Sequence, residues 1–475
     1  MRPWFWGLFS LYAAIFLWYS QTWAFAWDES YHLLTAQLIL AGKKPYLDFC
    51  FPQAPFNAYW NAAWMRMWGE SWRLIHAVQA LLTIGAVLLA ADFAADRFPV
   101  PGWRMAAAVT VALGTGLNAM VFLYGSLAQP YGMCLFALVL AFRISVHAVG
   151  RSGALPSAAA GLLAGIAASS SLLTAAAAPV LLAWTLVYNR KGARWRKVFA
   201  FSAAAVIPFA PVFRLLWLGP RETWFNLVQY HATFRKLYWN ETTSHDLDVL
   251  TSWINSGPAL VLGLLAVSGL LYVARGSQWP QPLKAEFYLC AWLALGIAAE
   301  LSVAHPTFAQ YFLLIVPFLA ILTVPGLYAL GSRPFWPVLL VCALFAAGLA
   351  RTLYDHQDDV TWAKYERLAA QIDQVTPRNA PLFADEPIYF LTRRTPPPGY
   401  ELGSYTHRIE LPPQERARLH ILTEAEVKQQ VQSGLFATAY SCEDYDSAEY
   451  GMEKLYDRQA KQSTCTIYWD LKARR

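Results

Sequence analysis

Two adjacent acids, Asp28 and Glu29, follow directly on the first long apolar run of the chain. A carboxylate is expensive inside a bilayer, and the cost falls where the chain leaves the hydrocarbon core. At that level it can take a proton from an attacking hydroxyl group. An acid here can also cap the helix predicted for "DESYHLLTAQLILAG" and complement its dipole. The pair is therefore predicted to provide a catalytic base and a neighbouring acid, to cap a helix, or to do both.

Further polar side chains near the same membrane surface are candidates for binding a substrate: Lys43, Lys44, Asp48, Gln53, Asn57, Gln129, Glu300 and His305. The cations suit a phosphate group, for which Arg221, Arg235 and Lys236 are less direct candidates. The amides suit hydroxyl groups. Several of these residues also have a structural alternative. Asp48 can close a turn with Pro45, and Gln53 and Asn57 can begin a helix. Gln129 can form a hydrogen bond that bridges two helices. Glu300 is an acid inside an apolar run, which favours a function, although with His305 it can also steady a helix end.

Metal-ligand spacing is weak in this sequence. The stretch "HDLDV", from His245 to Val249, has acids two residues apart, a pattern equally common in solvated loops. The six cysteines do not have zinc-site spacing. We therefore expect no cofactor and no resident metal, with a divalent ion possible but unsupported.

The amino-acid composition indicates that these polar residues belong to a membrane protein. Of 475 residues, 57% are hydrophobic and 14% charged, and mean hydropathy is +0.31, against about 25% charge in soluble domains. From Tyr354 onward there are 15 basic and 19 acidic residues, leaving 22 and 12 before it. This division predicts a membrane module over 1–352 and an acidic soluble domain over 353–475. Nucleic acid is excluded as a partner because the basic residues form no continuous patch.

About eleven segments are apolar enough to cross a bilayer as helices. They lie near 4–26, 74–95, 104–123, 129–148, 157–174, 176–189, 198–218, 252–274, 286–303, 311–330 and 335–352. The polar "ASSSLLT" interrupts 157–189, which is either one kinked element or two spans. The first segment also resembles a signal peptide, but the alternation of basic loops requires it as a span.

Lys and Arg residues assign the sides of the membrane. The stretches "DRFPVPGWR", "RSG", "NRKGARWRK", "RGSQWPQPLK" and "GSRP" fall in alternate loops. These loops are predicted to be cytoplasmic, together with the N-terminus. The first outer loop, 27–73, and the C-terminal domain are then on the outer face of the plasma (inner) membrane.

Two regions on the outer side have structure of their own. The first outer loop reads as two interfacial helices joined by "PYLDFCFPQAP", because its Trp, Tyr and Phe residues favour the membrane surface. The C-terminal domain reads as a small α/β unit with three or four strands, including "LFATAYS" and "CTIYWDL". Cys442 and Cys465 can form a disulfide in an oxidising compartment, and whether they do is left open.

The first outer loop resembles a known superfamily. An apolar span followed at once by Asp-Glu, an interfacial helix and "PYLDF…PQAPFNAYW" resembles the GT-C glycosyltransferases. Within them it resembles the group of protein O-mannosyltransferases, lipid A aminoarabinose transferases and rhizobial core-oligosaccharide transferases. The stretch "HPTFAQYFLLIVPFLAIL" is similar to a late span of that group.

The resemblance implies a fold and an activity. It implies a polytopic helical protein with a soluble outer domain that transfers a sugar, with inversion, from a polyprenyl-phosphate donor. The acid after the first span, here Asp28, would be the base, with Glu29 beside it. The acceptor would be a glycolipid, a glycan or a protein hydroxyl, and membrane lipid the surrounding partner.

Two other classes stay open from sequence alone. A transporter or flippase of lipid-linked sugars would favour internal repeats and polar residues at mid-membrane, whereas the ionisable residues here gather near the outer ends. A non-catalytic envelope scaffold would tolerate loss of the Asp28 carboxylate.

Overall fold

The computed structural model describes residues 3–238, 242–276, 279–331, 333–357, 359–402, 406–442, 448–462 and 464–472. The chain is mostly helical up to residue 355 and ends in a small sheet. The helices of its first part are α1 (Pro3–Ser20), α2 (Ala26–Leu40), α3 (Phe56–Trp68), α4 (Trp72–Arg97), α5 (Arg104–Gly116), α6 (Ala119–Tyr124), α7 (Tyr131–Ala148), α8 (Leu155–Ser170), α9 (Ala177–Val187), α10 (Arg194–Val206), α11 (Ala210–Leu218), α12 (Pro220–Trp224), α13 (Thr242–Asn255), α14 (Gly257–Arg275), α15 (Gln281–Leu301), α16 (Val316–Leu330) and α17 (Phe335–Asp355).

Six of the described helices are long and apolar enough to cross a membrane. They are α4, α7, α10 continued by α11, α14, α15 and α17. Four shorter apolar helices are Phe5–Ser20, Leu155–Ser170, Leu172–Val187 and Val316–Leu330. Every predicted span therefore falls on helical structure. The total of eleven crossings stays a prediction, since length and composition together identify six of the described helices as able to cross a membrane.

The interrupted region 157–189 forms two helices. Ser171 has extended backbone angles (φ −150°, ψ 120°) and separates α8 from a short 3₁₀ turn that leads into α9. Pro179 follows in the first turn of α9, where its missing N–H breaks no helical hydrogen bond. The polar break in the sequence thus marks the end of one helix and the start of the next.

The C-terminal part forms a four-stranded sheet flanked by short helices. Its strands are β1 (Leu382–Phe383), β2 (Thr438–Ser441), β3 (Tyr456–Gln462) and β4 (Cys465–Leu471), in the order β1-β2-β4-β3. Only the β1–β2 pairing is parallel. Its helices are α18 (Trp362–Val375), α19 (Glu386–Thr392), α20 (Pro413–Leu419), α21 (Glu424–Gln432) and α22 (Met452–Leu455). Cys442 and Cys465 form a disulfide, while the boundary at 352/353 stays a prediction.

The C-terminal part is joined to the beginning of the chain by a short antiparallel connection. The Ala24 N–H donates to the Val360 carbonyl, and the Trp362 N–H donates to the Thr22 carbonyl, both at 3.2 Å. The indole N–H of Trp23 donates to Asp359 at 3.2 Å. We call residues 359–362 the strap. It fixes the segment that immediately precedes the two acids.

One hydrophobic cluster includes both α2 and the C-terminal sheet. Leu34 of α2, Tyr46 and Phe49 of the connecting segment and Trp362 of α18 are all buried in it, together with Tyr440 of β2. Trp362 also stacks on Trp72 at the start of α4, with ring centroids 4.9 Å apart. The first outer loop therefore packs between the helix bundle and the C-terminal part.

Candidate active site

A cavity of about 840 Å³ opens where α2 meets the ends of the bundle helices and the C-terminal part. Its walls come from the start of α2, the segment 52–54, the loop before α7, residues 171–173, the region 227–235, the end of α15 and residues 303–311. Leu402 and Arg408 close it from the C-terminal part. Five of the predicted site residues line this cavity: Asp28, Gln53, Gln129, Glu300 and His305.

Asp28 lies in the first turn of α2. The N-cap position of this helix is held by Phe25, with no side-chain cap, so Asp28 is not the N-cap residue. Its charge interacts with Arg235 and with four cavity tyrosines, Tyr31, Tyr124, Tyr131 and Tyr311. The positive end of the α2 dipole also favours an ionised acid in this turn. Asp28 is therefore a partly buried carboxylate inside the cavity.

Glu29 points the other way and is fully buried. Its Oε1 accepts from the indole N–H of Trp362 at 2.6 Å, and its Oε2 accepts from the Ala128 N–H at 3.3 Å. The same oxygen lies 2.9 Å from His76 Nε2, while His76 Nδ1 faces the Ser20 carbonyl at 2.5 Å. Both ring nitrogens of His76 therefore face oxygen atoms, and the ring links Glu29 to the end of α1. Glu29 thus binds protein groups and does not line the cavity.

The loop before α7 is held at Ala128 from both sides. Its N–H donates to Glu29, and its carbonyl accepts from Asn57 at 3.3 Å and from Asn61 at 3.1 Å. Asn57 is completely buried and also accepts from Gln79 at 3.4 Å. These three hydrogen bonds hold Ala128 in place. They therefore fix the position of the next residue, Gln129, in the cavity lining.

Arg235 is a cation of the cavity lining, and the sequence indicated it only weakly. Its Nη2 donates to the Tyr311 hydroxyl at 2.5 Å, and its guanidinium lies 5.6 Å from the Phe308 ring centre. Burial opposes its charge, but Tyr311, Tyr230 and Asp28 outweigh burial, and the pKa of Arg235 is raised. It follows a π-helix, Phe225–Phe234, a rare conformation frequent at functional sites. The site therefore holds a permanent positive charge near the Asp28 carboxylate.

Two histidines in the cavity are neutral. Burial lowers the pKa of His32 to about 3. Burial, with Arg235 nearby, lowers the pKa of His231 to about 4. Neutral imidazoles donate from one ring nitrogen and accept at the other, so they can bind hydroxyl groups without adding charge.

At the mouth of the cavity, His305 is half exposed and its Nδ1 pairs with Asp246. The other Asp246 oxygen accepts from the Thr307 N–H at 2.6 Å. Glu300, on the α15 side, accepts from the Ala176 N–H at 2.7 Å. Asp246 orients the His305 ring and leaves Nε2 as its other polar atom. Of the two "HDLDV" acids, Asp246 therefore binds His305, and no group of three or more metal-binding side chains occurs in the described part of the chain.

Four predicted binding residues lie outside the cavity lining. Lys43 pairs with Glu401 at 3.4 Å, and Lys44 is exposed. Asp48 accepts from the Lys44 backbone N–H at 2.7 Å and so closes a turn, as its structural alternative predicts. Asn57 holds Ala128. Their direct roles in binding stay predictions that this placement does not support.

Several lining residues were not predicted from sequence: Tyr31, His32, Tyr124, Tyr131, Tyr230, His231, Tyr311 and Arg408. The positions of Tyr31 and His32, one turn after Asp28 on a short helix, could have indicated them, because residues three and four apart share a helix face. The others come from segments remote in sequence, and no local pattern separates them from aromatic residues of the membrane interface.

Comparison with known proteins gives a clear result for the fold only. The sequence matches no established protein family and no curated protein. The fold is shared with ArnT from Cupriavidus metallidurans in the apo state and bound to undecaprenyl phosphate, with TM-scores of 0.68 and 0.67. In both comparisons the identity is 14% and 97% of each chain is covered. The Archaeoglobus fulgidus oligosaccharyltransferase tethered to an acceptor peptide gives a TM-score of 0.51 and 12% identity, over 93% of this chain and 69% of that one.

These comparisons show an architecture that the chain shares with ArnT and, at lower similarity, with the archaeal oligosaccharyltransferase. Within that architecture the chain is similar to ArnT over nearly its whole length. The resemblance of the first outer loop is thus confirmed at the level of the fold.

Replacing Glu29 by glutamine is expected to destabilise the protein without removing the cavity carboxylate. Both carboxylate oxygens of Glu29 accept hydrogen bonds, whereas glutamine has one acceptor oxygen. The amide N–H₂ of glutamine would therefore face a donor that Glu29 now accepts from. A buried donor left unpaired costs about 1–3 kcal/mol. Thermal unfolding in detergent should show a melting temperature lower by several degrees. Glu453→Gln, at an exposed residue, should not change it. An unchanged melting temperature for Glu29→Gln would contradict the anchoring role.

Proposed function

We propose that the protein is an inverting glycosyltransferase of the plasma (inner) membrane. It moves a sugar from a polyprenyl-phosphate donor to an acceptor hydroxyl on the outer face. The observation that carries the proposal is that Asp28 and Arg235 line one cavity at one end of a helix bundle that shares its fold with ArnT. A base and a phosphate-binding cation are the two groups that this transfer requires.

The reaction assigns a step to each group. The acceptor oxygen attacks the anomeric carbon while the bond from that carbon to the phosphate oxygen breaks. Asp28 takes the hydroxyl proton as the new bond forms. The carboxylate also favours the positive charge that develops on the sugar in an oxocarbenium-like transition state. The products are the glycosylated acceptor, with inverted configuration, and the polyprenyl phosphate.

Arg235 supports the departure of the phosphate. The leaving oxygen gains negative charge as its bond to the sugar breaks, and a fixed guanidinium in a poorly hydrated site stabilises that charge. Arg408 adds a second cation from the C-terminal part. ArnT, which shares the fold, has been solved with undecaprenyl phosphate, which supports a lipid phosphate as the carrier. Membrane lipid would surround its polyprenyl chain.

The acceptor is proposed to be an envelope glycolipid, glycan or protein hydroxyl. It would enter on the side of His305 and Arg408, where the cavity meets the C-terminal part. The chemistry of the site needs only a hydroxyl nucleophile, so the acceptor class depends on the shape of this entrance. No cofactor is part of the proposed step.

Two alternatives are less well supported. A transporter or flippase would carry its polar groups through the bilayer, whereas the charged groups of this cavity lie at one end of the bundle. A scaffold would not require the Asp28 carboxylate. An assay of purified protein with radiolabelled polyprenyl-phosphate sugars and envelope acceptors separates the transferase from both alternatives, because only a transferase forms labelled product.

Envelope composition tests the proposal in cells. Mass spectrometry of glycolipids and glycoproteins from cells with and without the gene should show one sugar missing in the deletion strain. Restoring the gene should restore that sugar, and restoring an Asp28→Asn copy should not. Identical envelopes in all strains would exclude the proposed activity.

The proposed sidedness is a separate prediction. With the N-terminus cytoplasmic, single cysteines placed at exposed positions 364 and 424 should react with a membrane-impermeant maleimide in intact spheroplasts. A cysteine at position 194, in a predicted cytoplasmic loop, should react only after the membrane is opened. The reverse labelling pattern would place the cavity on the cytoplasmic side and contradict an outer-face transferase.

A further inference from the structure

Two buried polar side chains of the cavity wall lack hydrogen-bond partners. His32 and Gln129 are only 3% and 2% exposed. Among the described residues, His32 Nδ1 and Gln129 Oε1 have no partner, although both side chains line the cavity. A buried polar atom without a partner costs about 1–3 kcal/mol, and folded proteins contain few of them. Of the unpartnered buried atoms among the described residues, these two belong to residues that line the cavity, where a ligand could bind them.

The positions of both residues are fixed relative to Asp28. His32 lies four residues after Asp28 on α2, hence on the same face of the helix, one turn farther along. Its ring stacks on Tyr31 with centroids 4.4 Å apart. Gln129 follows Ala128, whose N–H and carbonyl are both held. A ligand group bound by this pair would therefore lie next to the base.

The surroundings match the chemistry of a sugar. Such a ligand presents hydroxyl groups that both donate and accept, and apolar C–H faces that pack on aromatic rings. The cavity lining combines polar atoms of His32 and Gln129 with the rings of Tyr31 and Tyr131. A few polar groups set in an aromatic wall are typical of a small-molecule site. The last torsion of an imidazole or an amide is soft, so either side chain can turn its unpartnered atom into the cavity.

We propose that His32 and Gln129 form the subsite that binds the hydroxyl groups of the donor sugar. This inference rests on the proposed glycosyltransferase function. It assigns specificity for the sugar to a neutral pair beside the base, separate from the cations that bind the phosphate. Loss of either side chain should weaken recognition of the sugar and leave recognition of the lipid phosphate intact.

The test compares two lipids on the full-length protein in nanodiscs. The probes are undecaprenyl phosphate and undecaprenyl phosphate carrying a neutral hexose, with mannose, glucose and galactose tried in turn. We expect wild type to bind one of the sugar-bearing lipids at least tenfold more tightly than undecaprenyl phosphate. His32→Phe and Gln129→Leu should each reduce that preference about tenfold, the usual value of one hydrogen bond to a ligand hydroxyl.

Stability supplies a second measurement. Both substitutions remove an unpartnered buried polar atom, so each variant should melt at or above the wild-type temperature. Gln129→Met replaces Gln129→Leu if the leucine variant folds poorly. Thr110→Val is the matched control, because Thr110 is buried, its hydroxyl also lacks a partner among the described residues, and it does not line the cavity. It should keep the full preference for the sugar-bearing lipid.

The outcomes separate this inference from the proposed function. If wild type prefers a sugar-bearing lipid and both variants retain that preference, the subsite is wrong while the transferase proposal stands. Equal binding of all the lipids by wild type would also overturn the subsite. If wild type binds none of them, the proposed function itself fails.

Discussion

Replacement of Asp28 by asparagine is expected to lower sugar transfer by about 10²–10⁴-fold, the usual contribution of a general base. Asparagine has nearly the same size and keeps one acceptor oxygen, but it cannot take the acceptor proton. The variant should fold and bind the donor lipid normally, because Glu29 keeps its contacts with Trp362, Ala128 and His76. Single-turnover transfer of a radiolabelled sugar would measure the loss directly.

A carboxylate elsewhere on the bundle provides the control. Asp96 lies near the far end of α4, twenty residues beyond His76 and therefore about 30 Å from the acid pair. Asp96→Asn removes an equal charge and should transfer sugar at the normal rate. A normal rate for Asp28→Asn would show that Asp28 is not the base.

Replacement of Arg235 by methionine is expected to lower transfer by about 10²–10³-fold, the scale found when one preorganised donor to a developing charge is removed. Methionine fills similar space but leaves the departing phosphate without its buried counter-charge. Both kcat and the affinity for undecaprenyl phosphate should fall, because the guanidinium contacts the phosphate before and during the reaction. Steady-state kinetics with binding measurements would separate the two effects.

Arg235→Lys should recover part of the activity, since it restores the charge without the planar pair of donors. Arg351→Gln is the matched control at an exposed arginine that does not line the cavity. If Arg235→Met bound undecaprenyl phosphate as tightly as wild type, the phosphate role would pass to Arg408.

The different roles of Asp28 and Glu29 illustrate what the sequence could and could not predict. Composition and the first-loop pattern were sufficient to predict a GT-C architecture and an acid near the membrane surface. Two neighbouring acids look equivalent in a sequence, but consecutive residues of a helix point about 100° apart. Only one of them can face the cavity. The partners that decide which one, His76 and Trp362, are remote in sequence.

Lys43 and Lys44 lie outside the cavity lining for a related reason. "GKKPY" resembles a phosphate-binding cation cluster, but the backbone turns sharply at Gly42 (φ 90°) and again at Tyr46 (φ 72°). These turns bring Lys43 to Glu401, and nothing within the loop indicates that partner. Arg235 is in a predicted outer loop among aromatic residues, and this local pattern is a weaker signal for a phosphate-binding cation. The fold nevertheless places Arg235 near Asp28.

In the C-terminal part, local pattern predicted β2 and β4 but not β3. Its sequence, "YDRQAKQ", is almost entirely polar because an edge strand needs few buried side chains. The Cys442–Cys465 disulfide joins the end of β2 to the start of β4. Knowledge of that bridge would have favoured a strand between the two cysteines, since β3 and β4 form a hairpin.

The hydrogen bond from Trp362 to Glu29 spans 333 residues of sequence, and this has a consequence for biosynthesis. The ribosome makes the acid pair among the first thirty residues and the strap only after three quarters of the chain. A nascent protein can therefore insert its helices before the segment around Asp28 is held in place. Its active site would be completed only when the last part of the chain has crossed the membrane and docked, so unfinished chains would not consume the lipid donor.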